Sequence, residues 1–275
     1  MMNTFFSRIK SNFQQQGTMM QIIIVNIAIF LTINVVGNLS QLNLLPYVAL
    51  PLNGEEFIYK FWTLFTYMFT HEGLAHIFWN LVSFYFYTQI FYLLLGEKKL
   101  LYVYVMSGIC GGALVLLLGI LFPASFANSI LLGASAAVLG VGGVMLMYAP
   151  NYRVFLFGLV ELSFKYIYLI FFALSTIIDL SINTGGKISH IGGALFGMLY
   201  GYQLKKGVDL FDLAFLKRKK TKLKIVSHNP PKTKEAKISN EEATMNALLD
   251  KISKSGYDSL TKAEKDLLFK LSQKK

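Results

Sequence analysis

Two residues in apolar surroundings have the chemistry of a proton-transfer pair. Ser135 sits in Gly133-Ala134-Ser135-Ala136-Ala137, and His190 in Ser189-His190-Ile191-Gly192-Gly193. A serine hydroxyl is a weak nucleophile at its own pKa. A neighbouring imidazole takes its proton during attack on a carbonyl and then protonates the leaving amine. Each residue also has a plainer reading. Serine is ordinary among the small residues that let transmembrane helices pack closely, and a histidine near a span end can be a satisfied interfacial residue. Gly-x-Ser-x also marks the nucleophile elbow of soluble hydrolases, but that turn joins a strand and a helix of a soluble sheet. The flanks here are apolar on both sides.

The spacing after His190 shows which face carries it. Gly193, Gly197 and Gly201 recur every four residues. This glycine stripe along one helix face is the small-xxx-small pattern of tight helix contacts. His190, three residues before Gly193, points to nearly the same face. Gly133, Ala137 and Gly140 offer a matching small face around the serine, so packing the two predicts Ser135 beside His190. Acyl transfer also needs donors for an oxyanion. His76 and Asn80 are four apart on one helix face and both donate hydrogen bonds. The Ser135 backbone N–H is a third candidate.

Other polar residues fit less well. His71-Glu72-x-x-x-His76 superficially looks like the zinc motif H-E-x-x-H, but a five-residue step separates the two rings widely around a helix. No metal or other cofactor is expected. Asp179 is a candidate third member orienting His190, although a lone carboxylate at a span end needs no such role. Glu161 and Lys165, four apart, read as a helix pair at the interface. His228 has no partner at ligand spacing. Cys110 is the single cysteine, so no intrachain disulfide can form.

The elements that must position these groups are membrane spans. Of the 275 residues, 54% are hydrophobic and 15% charged, against roughly 25% charged in an average soluble chain. Mean hydropathy is +0.50. The net charge is +11, of which +9 lies in 205–275. That is a membrane domain followed by a soluble tail. A bilayer asks for about 20 apolar residues per helix, and six segments qualify: 19–37, 74–95, 100–121, 130–149, 164–180 and 188–204. The first lacks a small-residue cleavage site and reads as a retained span. Arg8, Lys10, Lys98, Lys99, Arg153, Lys165 and the basic tail fall on one side, which puts both termini in the cytoplasm. The loop 39–73 carries Trp62 and several Phe and Tyr suited to a membrane interface.

The predicted fold is an all-α, polytopic bundle of six transmembrane helices with a short soluble helical hairpin at its C-terminus. The predicted divisions are an N-terminal segment (1–18), the membrane domain (19–204), a basic linker (205–238) and the hairpin (239–275). The run from Lys217 to Lys224 would attract anionic lipid; nucleic acid is not an expected partner. Ser239-Asn240-Glu241-Glu242 reads as a capping-box start for a helix to about Ser253, and Thr261-Lys262-Ala263-Glu264 starts a second that ends near Leu271.

Three blocks resemble the rhomboid family of intramembrane serine proteases. They are His71-x4-His76-x3-Asn80, preceded by the stretch Trp62 to Thr70; Gly133-Ala134-Ser135-Ala136; and Ser189-His190-Ile191-Gly192-Gly193. They stand in the family's order, on spans two, four and six, and the resemblance covers about 15–205. The hairpin is similar to the tail of some Bacteroidota rhomboids. The resemblance implies a Ser135–His190 dyad without an acidic member. It also implies oxyanion contacts from His76 and Asn80, support from His71 and Gly133, a fifth span acting as lateral gate, and transmembrane proteins as substrates. A bacterial inner membrane is the expected location. Ala136 departs from the commoner glycine, and Leu139 from the aromatic that packs on the histidine in many members. Two readings of other classes stand beside the protease: a non-catalytic chaperone or adaptor of the same fold, and a transporter, for which no internal repeat is visible.

Overall fold

A computed structural model describes residues 13, 15–126, 128–156, 158–178, 184–214 and 232–272. Arg8, Lys10, Asp179, His228 and the basic run from Lys217 to Lys224 lie outside the described residues. The chain divides into two compact units, Met1–Lys217 and Arg218–Lys275.

In the first unit, α1 (Thr18–Leu31) runs on through a π-helical turn (Thr32–Val36) and a last turn (Gly37–Leu39). Three short elements follow: β1 (Leu50–Pro51), α2 (Gly54–Tyr59) and α3 (Thr63–Thr66). Next come α4 (Leu74–Leu95), α5 (Leu100–Leu121), β2 (Ile130–Leu131) and α6 (Ser135–Tyr148). Then follow β3 (Arg153–Leu156), β4 (Val160–Ser163), α7 (Phe164–Phe172) with a π-helical turn (Ala173–Ile178), α8 (Thr184–Lys205) and α9 (Leu210–Ala214). Helices thus occupy all six apolar segments. Thr18–Leu39, Leu74–Leu95 and Leu100–Leu121 are long and apolar enough to cross a membrane, while Ser135–Tyr148 and Phe164–Ile177 are shorter apolar helices.

The fold is mainly helical but not all-α. β1 pairs antiparallel with β2, Leu50 opposite Leu131 and Pro51 opposite Ile130. Residues 130–134 are therefore drawn out to the preceding loop, and the fourth helix begins at Ser135 instead of 130. The β3–β4 hairpin fills the stretch before α7, with Gly158 at φ +70 in its turn. It corrects the expected Glu161–Lys165 pair. Glu161 lies on β4, and its Oε1 stands 3.9 Å from Arg153 Nε across the hairpin. Period-two pairing, not a helix turn, selects its neighbour.

α8 lies against α6 at backbone distance. A Cβ on Gly193, Gly197 or Gly201 would collide with the backbone of Ala136, Gly140 and Val144 respectively. The facing row is thus Ala136-Gly140-Val144, one helix turn further along than the expected Gly133-Ala137-Gly140, because Gly133 precedes the helix. α5 joins them: a Cβ on Gly111 would come within 2.6 Å of the Ser189 carbonyl oxygen and 2.7 Å of Ala136 Cβ. In lipid, where apolar burial does not drive helices together, such van der Waals contact does. The ends are pinned by polar groups. The Thr18 N–H donates to Glu97 and the Met19 N–H to Tyr92 OH. Asp209 bridges Lys99 Nζ at 2.6 Å and Tyr200 OH at 2.8 Å.

In the second unit, α10 (Lys232–Ser255) and α11 (Lys262–Ser272) are joined through Tyr257–Ser259. α10 begins at Lys232 rather than at Ser239. The residues from Lys232 to Ile238 include no Gly or Pro to stop a helix, so the helix already runs through the capping pattern at Ser239. At α11 the Thr261 N–H donates to Glu264 Oε2 at 2.7 Å, and the Glu264 N–H donates to Thr261 Oγ1 at 3.4 Å, a capping box. Lys251 Nζ reaches Glu264 Oε1 from α10 at 2.7 Å.

Gly197→Ala is expected to lower stability by about 1–3 kcal/mol through overpacking, and to reduce activity by moving α8 off α6. Leu195→Ala, on the exposed face of α8, should change stability by less than about 0.5 kcal/mol. Thermal unfolding in detergent checks both. For Glu264, the Lys251 hydrogen bond, then Thr261, holds the carboxyl down to about 2 from its ordinary 4.5. A depressed carboxylate pKa stabilises above the unfolded value and is lost as pH falls through the folded one. Protection of the amides around Thr261, measured relative to their intrinsic exchange rates, should therefore fall between about pH 4.5 and 2, and Glu264→Gln should remove that dependence.

Candidate active site

Gly133 turns the chain from β2 into α6. Its φ of +119 disfavours any L side chain, and a Cβ there would come within 2.7 Å of His76 Nε2. Its N–H donates to the Tyr67 carbonyl at 3.0 Å, and Tyr67 OH in turn donates to the Gly108 carbonyl on α5 at 2.5 Å. The next N–H, of Ala134, donates to His71 Nε2 at 3.3 Å. To accept, that nitrogen must be unprotonated, and burial pushes His71 down to about 3, with neighbouring His76 adding to the effect. The His71 carbonyl accepts from Asn34 Nδ2 of the π-helical turn after α1 at 2.9 Å. Three separate parts of the chain, at Asn34, Tyr67 to His71 and Gly108, therefore hold the turn that leads into Ser135, the first residue of α6.

His190 Nε2 lies 2.7 Å from Ser135 Oγ. The two residues are 55 apart in sequence and meet because Gly193 seats α8 on Ala136. His190 Nδ1 stands 3.2 Å from Thr176 Oγ1, on the π-helical turn after α7. Asp179 falls outside the described residues.

Ser135 and His190 open onto a cavity of about 510 Å³ that His76 and Asn80 also line. His76 and Asn80 project from the first turns of α4 on one face. Asn80 Nδ2 donates to the His76 carbonyl at 3.0 Å, leaving the second amide hydrogen for the cavity. Because Ser135 opens α6, it brings the positive dipole end of that helix to the edge of the same space. Neighbouring positive charge of this kind favours an anion. Trp79, Phe171 and Leu174 line this cavity and also an apolar groove of about 540 Å³ between α4 and α7. The groove runs down to Phe155 and Leu162 of the β3–β4 hairpin.

All six residues singled out from sequence thus fall around one cavity or in the turn that forms its wall. Sequence reasoning missed Thr176, whose only signal was a hydroxyl near the end of the fifth apolar segment. It also missed Tyr168, whose OH donates to the Leu139 carbonyl at 2.9 Å and ties α7 to α6.

The rhomboid domain family matches residues 59–207, and a family of unknown function (DUF6576) matches residues 232–274. A search among curated proteins finds no match. The rhomboid match spans more than half of the chain and includes Ser135, His190, His71, His76, Asn80 and Gly133. With its apolar helices and the cavity beneath Gly133-Ala134-Ser135, the chain belongs to the rhomboid family of intramembrane proteases.

Proposed function

We propose that the chain is an intramembrane serine endopeptidase that cleaves transmembrane proteins in or beside their spans. The observation that carries this reading is the 2.7 Å approach of His190 Nε2 to Ser135 Oγ at a cavity that His76 and Asn80 also line. Ser135 Oγ attacks the substrate carbonyl while His190 Nε2 takes its proton. The oxyanion is held by the Ser135 N–H and by His76 and Asn80 side chains. His190 then protonates the leaving amine, which departs and leaves an acyl-serine. Water attacks that ester with His190 as base, and Ser135 regains its proton as the acid product leaves. His71 and Gly133 act through the turn that aims Ser135.

Six spans, with both termini in the cytoplasm, accord with the basic residues between segments. The groove between α4 and α7 is the entry for a substrate helix, which must unwind to expose its peptide bond, since buried backbone groups need partners. The membrane is a bacterial inner membrane, with anionic lipid drawn to the basic tail.

The test is cleavage of a transmembrane substrate in liposomes. Ser135→Ala and His190→Ala should each lower kcat by roughly 10³-fold or more and abolish labelling of the serine by a fluorophosphonate. Well-folded wild type that neither cleaves nor is labelled would sink the reading. His76→Ala and Asn80→Ala should each lower kcat by about 10²–10³-fold with little change in KM; a change confined to KM would remove them from the oxyanion site.

A further inference from the structure

We propose that Thr176 is the positioning residue for the base: its Oγ1 accepts the Nδ1–H of His190 and holds the imidazole in the tautomer that leaves Nε2 free to take the Ser135 proton. The inference rests on the protease reading above.

A neutral imidazole carries one N–H, on either ring nitrogen. With the proton on Nε2 the ring would donate to Ser135 Oγ and could not act as its base. An acceptor at Nδ1 selects the other tautomer. Thr176 Oγ1 stands at that nitrogen, 3.2 Å away, while Nε2 is 2.7 Å from Ser135 Oγ. Thr176 is buried, so water does not readily replace it. Its own hydroxyl proton can turn toward Ser175 Oγ at 3.5 Å, which leaves a lone pair for the imidazole. Leu139 lines the same cavity but is aliphatic and selects no tautomer.

The backbone explains why this hydroxyl reaches the ring. α7 presents Phe171, Leu174 and Ser175 to the cavity. A regular helix would carry the following residue round to another face. Over Ala173–Ile178 the helix widens to π geometry, each residue turns through a smaller angle, and Thr176 stays on the side of His190. Such π turns concentrate at functional sites. The same helix walls the groove toward α4.

The experiment uses the full chain in liposomes and compares Thr176→Val, which keeps the shape and removes the hydroxyl, with Thr176→Ser, which keeps the hydroxyl. Thr176→Val should lower kcat roughly tenfold to a hundredfold, as loss of a hydrogen bond to a charged intermediate does, with KM changed by less than about twofold. Fluorophosphonate labelling of Ser135 should slow in parallel. Thr176→Ser should restore kcat to within about threefold of wild type, since packing changes little. If melting shows that valine unseats the helix, Thr176→Ala against Thr176→Ser makes the same comparison. Equal activity of Thr176→Val and wild type, an equal loss in Thr176→Ser, or a loss confined to KM overturns the proposal. So does a loss in Asp179→Asn that Thr176→Val does not share. Unlabelled, inactive wild type would instead remove the protease reading, and this inference with it.

Discussion

Serine is short, and a histidine ring reaches only a few ångströms from its backbone. Two helices that carry them separately can bring the groups together only by lying almost backbone to backbone. Here that approach is made where Gly193, Gly197 and Gly201 of α8 meet Ala136, Gly140 and Val144 of α6. Each step of one helix turn repeats the contact, so register as well as distance is fixed. Ser135 is adjacent to the first contact on α6, and His190 lies one turn before it on α8. The 2.7 Å distance between them follows from that register. In lipid the hydrophobic effect does not favour one pair of helices over another, so the fit of backbones carries this specificity.

A second constraint concerns polar backbone. The turn that aims Ser135 presents consecutive buried N–H groups, and an unpaired one is costly. Each receives a partner from elsewhere in the chain: Tyr67 for Gly133 and His71 for Ala134. The β1–β2 pairing does the same for the residues just before them. The outer loop is therefore part of the wall of the cavity, and its aromatic residues tie it to α5 through Tyr67 and Gly108. The start of α6, His76 and Asn80 are left lining the cavity, and hydrogen-bond donors of this kind are what the proposed chemistry requires of an oxyanion site.

The second unit follows different rules. Lys251 of α10 pairs with Glu264 of α11, a capping box closes the start of α11, and Leu248 and Leu260 are buried. Its separate match to a family of unknown function accords with a module of its own.

The sequence by itself located the apolar helices, the residues that line the cavity and the face on which His190 lies. These are local properties: apolar length, four-residue spacing and charge near span ends are all read within one helix. The capping pattern at Ser239 falls inside a helix because, within a longer helix-forming run, such a pattern does not by itself begin one. The tertiary structure alone decided that the stripe of α8 meets Ala136-Gly140-Val144, since the register between helices depends on where α6 begins. That start was set by a strand partner eighty residues earlier in the chain. It also decided that Arg153, not Lys165, faces Glu161, and that Thr176 reaches His190. A hairpin and a widened helix turn bring those groups together, and neither leaves a period in the sequence from which the contact could be read.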